Sequence, residues 1–248
     1  MRKTLLLLVV FTVLFFAYSS AEAVVHVEGR YWFTGLNAKG KATEASLIGT
    51  EIDFVDTLGM EKSKNFWEAR IDLNLGDHHL RYAYMPLSWV GQKTLTQSIN
   101  FNGATYSAST KVDSKLDIIY QRVGYRYNII DMLENQLGII LDVKILDIKT
   151  DLKATGIDKS YSVTAPIPTI GLGAQVGLPF LFSFGGEVTG MAYGDNQLID
   201  WEASLNFNPI PFTTISGGYR AFALNVKDKD NKVDFSLAGP FLMVNVGW

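Results

Sequence analysis

Charged and apolar side chains alternate in two stretches of this sequence, residues 66–75 and 198–208. In the first stretch, Glu68, Arg70 and Asp72 occupy every second position, with apolar residues between them. Because successive side chains of a β-strand point to opposite faces, this pattern predicts strands with one charged and one apolar face. Charges that cannot face lipid must point to an interior, where carboxylates and guanidinium groups can form ion pairs.

The same alternation in other stretches gives twelve charges that we expect to face inward, six basic and six acidic. They are Glu68, Arg70, Asp72, Arg81, Arg122, Arg126, Asp142, Lys144, Glu187, Asp200, Glu202 and Arg220. An interior of one dominant sign would indicate an ion-selective channel, whereas a balanced interior indicates a buried ion-pair network. We therefore predict that these side chains pair with one another and plug the interior. A path for a small solute or a proton is the alternative.

The residue types that usually perform catalysis are few. The sequence has no cysteine and three histidines, His26, His78 and His79. His26 lies at the periplasmic start of the first predicted strand, roughly residues 26–36, and the other two are expected in a periplasmic turn. None would lie at the opposite rim, where lipid-modifying barrel enzymes need a general base. Adjacent side chains point apart, which argues against a metal site at His78 and His79. We predict no enzyme activity, no metal and no cofactor.

The first 23 residues have the features of a secretory signal. Arg2 and Lys3 precede an apolar run that ends near Ala17, and Ala21-Glu22-Ala23 matches a cleavage site. We predict a signal peptide over residues 1–23, with a retained anchor as the alternative, and a single barrel domain over residues 24–248. Losing two bases and one acid makes the net charge of −3 one unit more negative. We therefore expect no nucleic acid partner, since phosphates require a basic face.

Alternating segments continue from Val24 onward, separated by connections that are alternately short and long. Ten such segments predict an all-β fold, a closed antiparallel transmembrane β-barrel, with eight or twelve strands as alternatives. Short connections are expected in the periplasm and long ones outside. Polar residues from about 94 to 114 and from 150 to 164 are interpreted as outer loops.

The last predicted strand, residues 239–248, has an apolar face that ends in an aromatic ring. That face consists of Pro240, Leu242, Val244, Val246 and Trp248. A terminal aromatic residue on such a strand resembles the assembly signal of bacterial outer-membrane proteins. We therefore expect the barrel assembly machinery to be a partner that reads Trp248.

Residues 37–64 form the longest connection, and their second part is too apolar for a free loop. The side chains concerned are Ile48, Ile52, Phe54, Val55, Leu58 and Met60. This segment either extends the flanking strands above the membrane or folds as a lid over the barrel mouth.

Several short stretches resemble a group of small Gram-negative outer-membrane barrels of the OmpA, OmpX and OmpW kind. They are residues 49–53 with 56–59, 79–84, 124–127, 218–220 and 239–241. The resemblance implies a barrel in the cell outer membrane and carries no catalytic residues. Unlike OmpA, this chain is expected to have no C-terminal peptidoglycan-binding domain.

These observations predict an integral outer-membrane barrel with a plugged lumen and a structural or interaction role through its outer loops. The alternative is a narrow channel or conduit for a small or hydrophobic solute, gated by residues 37–64. A lipid-modifying enzyme and a soluble periplasmic sheet protein are the remaining alternatives. The expected partners are outer-membrane lipid, the assembly machinery and, in the conduit alternative, a small solute.

Overall fold

The computed structural model describes residues 24–44, 47–132 and 135–248. The signal peptide predicted over residues 1–23 lies outside this part of the chain and stays a prediction. The described residues form thirteen strands: β1 (Val24–Lys41), β2 (Ile52–Asp53), β3 (Ser63–Leu75), β4 (His78–Thr94), β5 (Ile99–Phe101), β6 (Ala104–Tyr106), β7 (Lys111–Met132), β8 (Asn135–Ala154), β9 (Ile157–Leu178), β10 (Phe182–Tyr193), β11 (Asn196–Ile210), β12 (Thr213–Asp228) and β13 (Asn231–Gly247).

Ten of the strands described form a closed antiparallel wall. Their order is β13-β12-β11-β10-β9-β8-β7-β4-β3-β1, and β1 pairs with β13 to close the barrel. The predicted all-β barrel of about ten strands is confirmed. The alternatives of eight and twelve strands are wrong, because β2, β5 and β6 lie outside the closed wall. No helix in the described ranges is long and apolar enough to cross a membrane.

Outward-facing apolar side chains surround the barrel, and we call this band the lipid belt. Each wall strand contributes to it, for example through Tyr31, Trp67, Tyr82, Val123, Leu141, Leu172, Val188, Trp201, Tyr219 and Val244, all of which are exposed. Such a band of apolar surface on a closed barrel matches the hydrocarbon region of a membrane. Inward-facing residues alternate with these, as the period of a strand requires.

The wall is much taller on one side than the sequence predicts. Pairing of β7 with β8 continues to Asp113↔Lys153, and pairing of β8 with β9 to Ala154↔Ile157. The prediction of an outer loop over residues 150–164 is therefore wrong. We call residues 111–118, 146–154 and 157–165 the extension, since their outward faces are polar and rise beyond the lipid belt.

The two ends of the barrel differ in their connections. At one end the described turns are short, as at Gly76–Asp77 and residues 211–212, whereas residues 42–62 and 95–110 connect strands at the other end. Outer-membrane barrels have short periplasmic turns and longer outer connections, which assigns the second end to the cell exterior. The extension therefore lies outside the cell.

Candidate functional site

Ion pairs cross the middle of the lumen and join opposite sides of the wall. The carboxylate of Glu202 on β11 accepts hydrogen bonds from Arg30 on β1, at 2.6 and 2.9 Å. The same carboxylate accepts hydrogen bonds from Arg70 on β3, at 2.9 and 3.1 Å. One carboxylate thus holds two guanidinium groups from the far wall, which closes the space between these strands.

A second bridge connects β12 to β3 and β11. The Arg220 guanidinium donates to Glu68 at 3.0 and 3.2 Å and to Asp200 at 2.9 Å through each of two nitrogens. Arg220 and Glu68 are almost inaccessible to solvent. A buried ion without a partner costs several kcal/mol, so the two carboxylates are what allow Arg220 to be buried.

A third bridge spans the lumen from β4 and β7 to β10. Glu187 lies 2.8 Å from Arg81 and 2.6 Å from Arg122. Lys144 is fully buried beside them, 3.2 Å from Asp142, and donates to Thr189 at 2.8 Å. We call these three bridges together the charge belt.

All twelve charges expected in the lumen occupy inward positions on their strands. Most enter the charge belt, whereas Arg126 lies nearer the periplasm and donates to Asn128 at 2.8 Å. Two further charges, Glu28 and Arg30, share the inward face of β1 and lie 3.5 Å apart; the twelve predicted lumen charges do not include them. The alternation along residues 26–34 was the available signal for both. Adding one acid and one base keeps the two signs balanced.

On the periplasmic side of the charge belt lies a polar vestibule of about 370 Å³, a volume open to the centre of a water molecule. Its wall includes His26, Asp72, His79, Arg81 and Asn206. The predicted turn at residues 76–79 ends two residues earlier than expected, so His79 lies within β4, buried and facing inward. Its Nδ1 is 2.5 Å from Asn74 Oδ1, and its Nε2 is 3.0 Å from Asn128 Nδ2.

On the outer side of the charge belt, aromatic rings cover the arginines. The Arg220 guanidinium lies 5.0 Å from the ring centre of Trp32 and 5.4 Å from that of Tyr120. Arg30 lies 3.9 Å from the ring centre of Phe241. Such cation–π contacts are strongest where water is excluded, and these rings separate the charge belt from an apolar region above it.

Residues 42–44 and 47–62 fold back into the outer mouth of the barrel, and we call them the lid. Of the side chains singled out in the sequence, Ile52, Phe54, Leu58 and Met60 are buried; Val55 is half-buried and Ile48 is exposed. The flanking strands also lengthen, with β1 reaching Lys41. The structure thus combines features of both alternatives for this segment, whereas a gating role for it stays a proposal.

The lid rests against β4 at a glycine. Met60 forms an isolated bridge with Gly91, and a Cβ atom at Gly91 would lie 2.5 Å from the carbonyl oxygen of Leu58. The absence of a side chain at position 91 therefore permits the lid backbone to approach the wall.

A second buried segment in the mouth was interpreted from the sequence as a polar loop. The hairpin of β5 and β6 buries Ile99, Phe101 and Tyr106, and the Tyr106 hydroxyl donates to the carbonyl oxygen of Leu152 at 2.8 Å. Its apolar residues stand between many polar ones, so the signal was present but weak. With the lid, this hairpin fills the space inside the extension.

Between the lid, the hairpin and the wall lies an apolar cavity of about 50 Å³, again measured as space open to the centre of a water molecule. We call it the outer chamber. Its wall includes Phe54, Phe101, Leu146, Tyr161 and Phe235. Apolar cavities of this kind stay dry and accept apolar ligands. The lumen therefore has a polar half and an apolar half, separated by the charge belt.

All three histidines lie toward the periplasmic end of the barrel, and no group of three or more His, Cys, Asp or Glu side chains in the described ranges could hold a metal ion.

Trp248, expected to be read during assembly, is exposed, and its backbone exchanges hydrogen bonds with Val25 at 3.0 and 3.1 Å.

Comparison with known proteins supports the fold. No protein-family model matches the sequence, and no curated protein matches it significantly. The outer-membrane protease OmpT of Escherichia coli has a similar structure, with a TM-score of 0.63 and 8% sequence identity over 94% of this chain and 100% of OmpT. The translocator domain of the Neisseria meningitidis autotransporter NalP has a TM-score of 0.46 and 9% sequence identity, over 92% of this chain and 89% of that domain. The Yersinia pestis attachment invasion locus protein Ail has a TM-score of 0.37 and 12% sequence identity, over 90% of this chain and 99% of Ail.

The likeness to OmpT establishes the fold and not the chemistry, because the identity is very low. Together with the lipid belt, the fold defines the chain as a small β-barrel protein of the Gram-negative outer membrane. The predicted fold class and localisation are confirmed, and the barrel is suited to the expected contact with membrane lipid.

Proposed function

We propose that this protein is a sealed outer-membrane barrel with a structural or interaction role through its extracellular surface. The observation that carries the proposal is the charge belt, in which Glu187 and Glu202 each hold two arginines across the lumen. An ion that passed through would have to separate these pairs, and leaving buried charges unpaired costs several kcal/mol.

The regions above and below the charge belt also favour a closed lumen. Below it, water can enter the vestibule, which ends at Arg70, Arg122 and Glu202. Above it, aromatic rings and the buried side chains of the lid exclude water. A barrel of about eight strands has room only for its own side chains, and ten strands leave slightly more, which is too narrow for a wide aqueous pore. This arrangement supports a plug, and not the narrow aqueous channel kept as an alternative.

With the lumen closed, the surface that the protein presents outside the cell includes the extension. Its outward face carries directly opposed charges of opposite sign, as in Asp113↔Lys153 and Lys115↔Asp151. Such cross-strand pairs support the ladder. Lys115 also lies 2.6 Å from Asp117, and this hydrogen bond raises the pKa of Lys115. The extension is therefore a regular, strongly polar surface, and we propose it as the part that meets the cell exterior.

Single-channel conductance tests the sealed lumen. Refolded protein, checked by the shift in gel mobility on heating, should give no current steps in a planar bilayer. The variant Arg81→Ala/Arg122→Ala/Glu187→Ala removes one whole bridge and should produce steps. Lys115→Ala/Asp117→Ala/Lys153→Ala, which changes the same number of charged residues on the extension, is the matched control and should remain silent. Steady steps from the unmodified protein would contradict the proposal.

The same proposal gives the protein no enzymatic role. The histidines His26, His78 and His79 lie at the periplasmic end of the barrel, away from the outer rim where a lipid-modifying barrel enzyme needs a general base. A comparison of membrane lipids from cells with and without the protein should show no change in acylation. A lost or gained acyl group would refute this part.

We also propose that residues 1–23 are removed on export. The basic residues Arg2 and Lys3, the apolar run to Ala17 and the sequence Ala21-Glu22-Ala23 support this proposal. N-terminal sequencing of the protein from outer-membrane fractions should then begin at Val24. A sequence starting at Met1 would instead indicate a retained anchor.

A further inference from the structure

The barrel wall has a notch on one side. β9 rises to Ile157, but its pairing with β10 stops at Ile170↔Gly190. Beyond the β10–β11 hairpin, pairing of β12 with β13 rises again to Asp228↔Asn231. The notch is thus bounded by residues 157–169 of β9, by the hairpin tip at residues 193–196 and by the top of β12.

The sequence of β9 is suited to an unpaired edge of the sheet. Pro166 and Pro168 lie within it, and proline, which cannot donate to a ladder, occurs in sheets at unpaired edges. Near its top this edge receives a hydrogen bond from Asn102 Nδ2 to the carbonyl oxygen of Ser160, at 2.8 Å. Between that contact and Ile170, no strand among the described residues pairs with it on this side.

The base of the notch lies at the outer boundary of the lipid belt. On β9 the outward-facing residues change from Leu172 and Ile170 to Thr164 and Ser162. On β11 the outward-facing residue above Ile199 is the polar Gln197. Hydrocarbon chains of the outer leaflet therefore reach the base of the notch, whereas its upper part faces the headgroups and water.

The outer chamber adjoins the notch, since Tyr161 and Val163 of β9 form part of its wall. Inward-facing side chains of β7 and β8, such as Leu116 and Leu152, are buried. Beside the notch, Tyr161 lines the chamber, whereas Ala165 and Met191 pack against the surrounding apolar cluster; all three are only half-buried. The apolar surface of the chamber is thus accessible from the side.

A hollow on the outer surface leads to this place. It has a volume of about 650 Å³ and follows the small outward-facing residues Gly190, Ala192 and Ala223. Leu224 borders both the hollow and the outer chamber. Lipid covers the lower part of this surface, so an acyl chain is the molecule that meets it.

We propose that the notch is a lateral entrance through which the end of a single hydrocarbon chain of an outer-leaflet amphiphile inserts into the outer chamber. The chamber matches the end of such a chain because its lining is apolar, its opening lies at the level of the hydrocarbon and the charge belt blocks its floor. Its volume of about 50 Å³ leaves space for roughly three or four water-sized groups, so it takes the last few carbons of the chain. The inference rests on the proposed sealed lumen in one respect: the chain can enter and leave but cannot cross to the periplasm.

Tryptophan quenching by a brominated fatty acid tests the insertion directly. The sequence has five tryptophans; Trp32 and Trp89 are buried in the lumen, and the other three, Trp67, Trp201 and Trp248, are exposed. A variant with these three changed to Phe reports only on the lumen. Dibromostearic acid added to this refolded variant in detergent should reduce its emission at least twofold more than unbrominated stearic acid.

A variant that obstructs the notch identifies the route. Ala165→Phe, made in the same background, should abolish most of the additional quenching. Ala203→Phe places the same bulk on the outward face of β11, within the lipid belt, and should leave the quenching unchanged. If the fatty acid quenched the lumen tryptophans from the outer surface of the barrel wall, the quenching would be equal in all variants. If Ala165→Phe does not refold, Met191→Lys places a charge at the base of the notch and should have the same effect.

The outcomes separate this inference from the proposed function. No additional quenching, or equal quenching in the obstructed and control variants, would overturn the lateral entrance. The sealed lumen would still stand if the unmodified barrel gave no conductance steps. Conductance steps with notch-dependent quenching would overturn the sealed lumen and leave the lateral entrance in place.

Discussion

The inner and outer halves of the lumen are occupied by different kinds of structure. The inner half, taken as the vestibule together with the charge belt, is crossed by the wall's own charged side chains, such as Arg220 and Glu202, which pair with groups on other strands. The outer half is filled by separate pieces of chain, the lid and the β5–β6 hairpin, which bring apolar side chains such as Leu58 and Phe101.

The two halves differ in how strictly their contacts fix the positions of the side chains. Ion pairs in the charge belt are directional, and each member is held by groups on several strands. The lid is attached through apolar contacts and a few backbone bonds, such as that from Leu36 to Lys62 at 2.7 Å. Apolar contacts are not directional and can re-form around a ligand. We therefore expect the inner half to be rigid and the outer half to be adaptable.

The largest expected effect is in the inner half. Arg220→Leu leaves Glu68 and Asp200 buried beside no arginine from β12, which should cost about 3–5 kcal/mol of folding free energy. Unfolding in urea, followed by gel mobility without heating, should show a much lower midpoint. Lys153→Leu, at an exposed position, is the control and should unfold near the unmodified protein. Similar midpoints for both variants would show that the charge belt does not stabilise the barrel.

A smaller and more local effect is expected in the outer half. Leu58→Ala removes a fully buried side chain of the lid and should cost about 2–5 kcal/mol of lid docking. Because the wall does not depend on the lid, limited proteolysis should cut residues 42–62 faster while the barrel keeps its heat-dependent mobility. Ile48→Ala, at an exposed lid position, should leave the cleavage rate unchanged. Loss of the whole barrel would contradict the separation of the two halves.

The smallest effect is expected on the extension's outer face. Lys115→Ala removes one exposed member of a polar ladder, and exposed ion pairs contribute little because water and salt screen them. Its urea midpoint should match that of the unmodified protein at both low and high salt. A clear loss of stability at low salt would show that the outward-facing charges hold the extension together.

The sequence predicts the inner half well because the physics there is local to each strand. A charged residue at every second position between lipid-facing neighbours has no other place than the lumen, so Glu68, Arg70 and Asp72 could be placed directly. The ends of that pattern were harder to see, and Glu28 and Arg30 were left out. Which carboxylate meets which arginine depends on the curvature of the closed wall, which the sequence does not display.

The outer half was harder to predict because its strands leave the membrane. In the extension, the outward faces of β7 and β8 are polar, so residues such as Asp151 and Lys153 look like parts of a loop. Their inward neighbours, including Leu152, are apolar only because the lid and hairpin cover them. That partnership joins segments far apart in sequence, and the notch likewise depends on comparing the heights of strands that the sequence does not align.

Closure of the barrel by β1 and β13 has a consequence for the order of folding. Their ladder, from His26↔Gly247 to Lys41↔Lys232, joins segments separated by nearly the whole described chain. Bringing such distant segments together carries a large loop-closure entropy, and folds rich in non-local pairing form slowly. Until that seam forms, β1 and β13 both expose unpaired edges, which invite aggregation. The charge belt must therefore be completed late, since Arg30 on β1 meets Glu202 on β11 across the same seam.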